Sequence, residues 1–193
     1  MLKKRGRNRL VFIFPKLGVV VKFPILHLSR IFGMIKGHFS EGGWKFFWKT
    51  FKHEFNYYTA DTIGSFKREV FFGLIANWNE FYLYWKTRSL FLQPTYFTLF
   101  GFLNIQKYGN PCQLQDVDLW CQLHILTDGK VWDDSHHFSN SKNFSFDDGK
   151  LRIVDYGSYT VNNVVILHGE KIFNSFNPAF CWEEEKKKRE ERR

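Results

Sequence analysis

Asn143-Phe-Ser-Phe-Asp-Asp-Gly-Lys-Leu-Arg-Ile-Val-Asp155-Tyr156-Gly157 is the stretch around which the chain is organised. Asp147-Asp148-Gly149 is a turn signal, and Leu151, Ile153 and Val154 form an apolar strand, so the segment reads as a β-hairpin. The strand delivers Asp155 to its end, beside a glycine that allows a sharp turn. Asn143 and Asp155 then flank the hairpin and point at its rim. A carboxylate with an amide oxygen is a donor set suited to a hard cation such as magnesium, and this is one way to bind a magnesium ion that carries a nucleotide's phosphates.

Just upstream lies Trp132-Asp133-Asp134-Ser135-His136-His137. The two segments together resemble the metal-binding end of protein-kinase-like phosphotransferases, with Asp155-Tyr156-Gly157 in place of Asp-Phe-Gly. The Asp-x-His order of Asp134 and His136 is similar to the atypical bacterial kinases of the lipopolysaccharide-kinase-like group. The resemblance implies that Asp134 orients an acceptor hydroxyl and that a loop asparagine binds metal beside Asp155. In the family that asparagine follows the loop Asp by five positions. Here Asn140 follows Asp134 by six and Asn143 by nine. Asn143 is preferred because it directly precedes the Phe144-Ser145-Phe146 strand, which requires an insertion in the loop.

Towards the N-terminus, Leu10–Phe14 and Gly18–Phe23 are β-rich runs around Pro15-Lys16-Leu17-Gly18 and read as a hairpin. The Val19-Val20-Val21-Lys22 run is similar to the kinase strand whose lysine contacts the nucleotide's α- and β-phosphates. No Gly-x-Gly-x-x-Gly precedes it, and the short upstream segment leaves little room for a glycine-rich strand pair. Ser65 to Lys86 reads as a helix with Ser65 as N-cap. The resemblance implies that a glutamate on it holds Lys22 toward the phosphates. Glu80 is preferred for that role and Glu69 is the alternative.

Thr95–Phe100 and Phe102–Tyr108, divided by Gly101, read as two further strands that complete a small antiparallel sheet. Gln106 to Gly109 falls where the family has an adenine-binding hinge. Gln113 to Thr127 reads as a helix ending near Asp128-Gly129. Val161 to Leu167 reads as a strand or short helix, and Glu183 to Arg193 as a solvated helix or frayed charged tail. Residues 24–61 have no family counterpart. Within them Trp44, Phe47, Trp48, Phe51 and Phe55 recur at helical spacing, with Lys45, Lys49 and Lys52 elsewhere on the wheel. That is either an amphipathic helix packed on the core or a helix for an anionic membrane surface.

Composition bounds the rest. The 193 residues carry a net charge of +9 and include 23 Phe, 8 Tyr and 7 Trp, enough for one domain with a substantial core. The excess of positive charge favours phosphate-bearing or anionic-lipid partners. Specific nucleic-acid binding is not expected, since no nucleic-acid motif is present. Cys112, Cys121 and Cys181 lack Cys-x-x-Cys spacing, which argues against zinc or redox chemistry and fits a cytoplasmic setting.

The expectation is an α+β fold of reduced, protein-kinase-like, two-lobe design. One domain over 1–182 would hold an antiparallel N-lobe sheet (about 1–108) and a small helical C-lobe (about 110–182), with a charged tail at 183–193. Its implied ligands are ATP and Mg2+, bound by Lys22, Glu80, Asn143 and Asp155. Asp134 is the implied catalytic residue, acting on a hydroxyl of a small molecule or glycolipid. Two other classes stay open: a catalytically weak pseudokinase or scaffold, and a basic aromatic membrane-surface protein.

Overall fold

The computed structural model describes residues 1–56 and 66–191. Ser65 lies outside them, as do a few helical side chains including those of Phe51, Phe55 and Glu69. The chain is α+β. Strands β1 (Leu2–Arg5), β2 (Arg9–Phe14), β3 (Val19–Pro24), β4 (Thr95–Leu99) and β5 (Leu103–Lys107) form an antiparallel sheet in the order β1-β2-β3-β5-β4. Helix α1 (Leu28–Asn56) and helix α2 (Phe66–Thr87) separate β3 from β4. After β5 come α3 (Asp116–Leu126), α4 (Ser135–Phe138), the hairpin β6 (Phe144–Asp147) and β7 (Lys150–Ile153), α5 (Tyr159–Ser175) and α6 (Trp182–Glu191).

The β6–β7 hairpin turns through Asp148 and Gly149, both with positive φ (53° and 72°), the geometry that an Asp-Gly pair favours. β2 and β3 follow the β-rich runs around Pro15–Leu17, which close as a 3-10 turn. One expectation fails at the N-terminus. A strand pair does fit upstream of Lys16: β1 pairs with β2 across the turn Gly6-Arg7-Asn8, with Gly6 N donating to Arg9 O at 2.9 Å. Four residues in β1 suffice because a two-stranded antiparallel ladder needs no crossover. The Val161–Leu167 run belongs to the 17-residue helix α5 rather than to a short element.

The apolar core lies in the second half of the chain. Phe91, Phe138, Phe144, Leu151 and Ile153 are fully buried with Leu119 and Leu123 of α3 and Val161 and Ile172 of α5. α2 spans both parts, packing on the sheet and sending Leu83 into that core. α1 is broken at Gly42-Gly43, and Gly43 has positive φ. Beyond the break Phe47 is buried, whereas Trp44 and Trp48 are exposed on either side of it.

Candidate functional site

The cleft between the sheet and the β6–β7 hairpin is built from register. Lys22 pairs with Val11 on one side and Asn104 on the other. All three side chains therefore stand on the face that α2 covers, since register partners share a face. Glu80 of α2 meets them there. Lys22 Nζ lies 2.7 Å from Glu80 Oε2, and Asn104 Nδ2 donates to the same oxygen at 2.9 Å. Glu80 has no exposed side-chain surface and Lys22 only 6 %, so the pair is shut off from water.

Val154 joins this pair to the hairpin. Its carbonyl accepts from Lys22 Nζ at 2.9 Å and from Gln106 Nε2 at 3.2 Å. Its N–H donates to the carbonyl of Asn143 at 2.8 Å. Asp155 follows directly. Tyr156 is buried, and its hydroxyl donates to Gln93 O at 2.6 Å. Gly157 lies hard against α2: a Cβ there would come within 2.8 Å of Ala76 Cβ, so only glycine allows the approach. Asn79 Nδ2 donates to Gly157 O at 3.1 Å. Asp155-Tyr156-Gly157 is thus anchored to the helix that carries Glu80.

Lys22, Glu80 and Asp155 therefore come together from three separate stretches of sequence, while Asn143 joins them only through its backbone, its side-chain amide being bonded to the His137 carbonyl. Asn140 does something else. Its side chain accepts from Lys142 N at 3.1 Å and caps the 3-10 turn Ser141–Asn143. Asn143 is the asparagine whose backbone is bonded to the strand end bearing Asp155.

Arg9 is the residue that sequence reasoning did not single out. From the start of β2 its guanidinium reaches Glu80 Oε1 at 2.6 Å and also bonds Asp155 Oδ1. Two carboxylates and two cations so form one chain, Lys22–Glu80–Arg9–Asp155, buried at the Lys22 end and partly exposed at Asp155. Burial alone would push the Asp155 carboxyl up, but the charges of Arg9, Lys22 and His137 hold it down to about 2. Burial also pulls the Lys22 ammonium below its ordinary value, which Glu80 only partly offsets. The hint in the sequence is that Arg9 ends the basic run and opens a strand two residues before Val11, which puts the two on one face.

Asp134 belongs to a network of its own. His137 Nδ1 is 2.7 Å from Asp134 Oδ1. Ser158 Oγ donates to Asp134 Oδ2 at 3.0 Å, and Thr160 Oγ1 bonds the same oxygen. Asn143 Nδ2 donates to the His137 carbonyl at 3.0 Å, which ties this network to the Asp155 strand. Burial raises the Asp134 carboxyl, but the bonds from His137, Thr160 and Ser158 bring it below its usual range. His136 is exposed, and its ring packs on that of His137. Phe138, five residues before Asn143, is fully buried in the core. Among the described residues no group of three or more His, Cys, Asp and Glu side chains is arranged to hold a metal.

The Asp134–His137 pair carries a pH signature. Burial lowers the imidazole's proton affinity, but its bond to Asp134 and the charges of Asp134 and Asp155 more than compensate, so the net direction is up. A group that binds its proton more tightly when folded stabilises the fold fully below its unfolded pKa, about 6.5 for His. That contribution is lost as pH rises through the higher folded value. The melting temperature is therefore expected to fall above about pH 6.5. His137→Gln should flatten that fall; an unchanged slope would show that the pair does not contribute.

Comparisons with protein-family models, with curated proteins and with solved structures found no match for this chain. The cleft's own chemistry has to carry the functional reading.

Proposed function

We propose that the chain is a nucleotide-binding phosphotransferase of reduced, protein-kinase-like, two-lobe design, acting on a hydroxyl of a small molecule or glycolipid. The observation that carries this reading is the buried Lys22–Glu80 pair, joined at 2.7 Å and linked through Arg9 to Asp155. The sheet order β1-β2-β3-β5-β4, with a helix supplying Glu80 to the strand lysine, supports it as well.

In this reading Lys22 holds the α- and β-phosphates of ATP and Glu80 holds Lys22 in place. Asp155 is ionised across the neutral range, because its carboxyl is held to about 2. With the amide oxygen of Asn143 it is a fitting donor set for magnesium, which would neutralise phosphate charge there. The γ-phosphorus would form a bond to the acceptor oxygen as its bond to the β-bridging oxygen breaks, leaving ADP. The acceptor's proton would pass to Asp134, which Ser158, Thr160 and His137 orient.

A second reading, a nucleotide-binding protein with little turnover, is favoured by two observations. The position five before Asn143, where the family spacing expects the loop Asp, holds the buried Phe138. Arg9 also engages the Asp155 oxygen that a metal would need.

The test is thermal unfolding with and without ATP and Mg2+, on the native chain and on Asp155→Ala. A ligand that binds only the folded state at roughly a hundred times its Kd stabilises it by about 2.7 kcal/mol. For a chain of this size that is a rise in Tm of roughly 5–11 °C. The native chain should show this rise and Asp155→Ala should lose its magnesium-dependent part. No shift at millimolar nucleotide would sink both readings. A shift without phosphoryl transfer to any hydroxyl acceptor would leave the second.

A further inference from the structure

The inward face of the five-stranded sheet mixes polar side chains with Val11, Ile13 and Val20, and those three are only half-buried. Every residue that β1–β5 bury is polar: Lys22, Thr95, Thr98, Asn104 and Gln106. These stand on the face covered by α2 and the β6–β7 hairpin. The opposite face is reached by following register from strand to strand. Lys3 pairs with Phe12, Phe12 with Val21, Val21 with Ile105 and Ile105 with Phe97. That row crosses all five strands, and from Phe12 onward it is apolar. The next row holds Leu10 paired with Phe23, and Leu103 paired with Leu99. None of these apolar side chains is buried, and Phe23, Phe97 and Leu99 are 39 %, 46 % and 48 % exposed. Among the described residues, α2 is the helix that packs on the sheet, and it packs on the other side.

Charge says what would cover this face. Its rim carries Lys3 and Arg5 on β1 and Lys107 at the end of β5, and Lys3 Nζ lies 5.9 Å from the Phe12 ring centre. No acidic residue occurs before Glu41, and none between Glu80 and Asp116, so all five strands are free of carboxylates. A second copy docking through the same face would bring one cationic rim against another, since a two-fold interface is self-complementary only when its charges are mixed. An anionic bilayer supplies what the face lacks: apolar depth for the phenylalanines and leucines, and negative headgroups for the rim.

We propose that the outer face of the sheet is a docking surface for an anionic membrane. It is independent of the nucleotide cleft, which opens on the other side of the same sheet.

The full chain is sedimented with vesicles of phosphatidylcholine plus phosphatidylglycerol and, in parallel, of phosphatidylcholine alone. Two variants accompany it, Phe97→Ser/Leu99→Ser and Lys3→Glu/Arg5→Glu. The native chain should bind the anionic vesicles, bind neutral ones weakly and dissociate as salt rises. Each variant should bind about tenfold less, the charge reversal because each basic residue near the surface adds several-fold in affinity. Matching melting temperatures qualify a variant; the charge reversal, on a solvent-exposed edge strand, stands alone if the apolar one does not fold. The proposal is overturned if the native chain stays in the supernatant, or if both folded variants bind as it does. Light scattering that shows a dimer lost in Phe97→Ser/Leu99→Ser would overturn it too, because a second copy would then occupy the face.

Discussion

Glu80→Ala is expected to cost about 3–5 kcal/mol of folding stability, because it leaves the buried Lys22 ammonium without its counter-ion. Glu80 has no exposed side-chain surface and meets Lys22 at 2.7 Å, Arg9 at 2.6 Å and the Asn104 amide at 2.9 Å. Removing it strands the Lys22 ammonium, whose side chain is only 6 % exposed. The loss is a large share of the roughly 5–15 kcal/mol that holds a domain together. It corresponds to a fall in Tm of roughly 6–20 °C. Urea denaturation of the native chain, Glu80→Ala and Glu80→Met/Lys22→Met separates charge from packing. If the uncompensated ammonium is the cause, the double variant should recover much of what the single one loses, since two apolar side chains tolerate burial where a lone charge does not. A single variant within about 1 kcal/mol of native would mean that water reaches Lys22 and that the pair is not closed.

Much of this cleft was legible from the sequence because strand and helix periodicity fix which side chains share a face. Lys22 ends a β-branched run, and a register set by alternating side chains leaves it one face to occupy. The Asp147-Asp148-Gly149 turn pinned the hairpin, which in turn put Asp155 one residue past Val154. Long-range pairing was less legible. Whether Glu69 or Glu80 meets Lys22 depends on how α2 is rotated against the sheet, and both are polar residues in an aromatic-rich helix. The α2 contact that puts Glu80 there runs through Asn77, whose side chain donates to Gly101 O at 2.8 Å, a bond that nothing in local composition announces. β1 escaped notice because a strand reading Leu-Lys-Lys-Arg has no apolar alternation; it is an edge strand held by its backbone ladder to β2. The bare outer face was hidden for the opposite reason. β2 and β3 read as near-continuous apolar runs, the pattern of strands covered on both faces, so nothing in them marks one side as bare. Here the buried side is the one bearing Lys22, Asn104 and Gln106, which makes sense only once the charged cleft is seen to lie there.

Arg9→Gln is expected to move two affinities in opposite directions. The Arg9 guanidinium bridges Glu80 and Asp155, so on the proposed reading it holds an oxygen that a magnesium ion would need. Metal and Arg9 compete for that carboxylate, and both cannot sit on Asp155 without bringing positive charge against positive charge in a site that already contains Lys22. Removing the guanidinium should therefore raise the affinity for Mn2+ alone, read by paramagnetic resonance of the free ion, by about tenfold; that is the equivalent of one charge-assisted hydrogen bond of about 1.4 kcal/mol. Nucleotide should respond the other way. Once displaced from Asp155, Arg9 would stand at the start of β2 near Lys22, the residue proposed to hold the phosphates, and guanidinium is the side chain best shaped to grip phosphate oxygens bidentately. Losing it should weaken ATP by a comparable factor in a calorimetric titration. Opposite signs would mean that Arg9 hands over from carboxylate to phosphate as the metal arrives, taking the part that a glycine-rich loop plays elsewhere. If both affinities rise, Arg9 is only a plug, and the reading of a nucleotide binder with little turnover gains. If both fall, Arg9 is holding the cleft together, and its bond to Asp155 belongs to the fold rather than to the site.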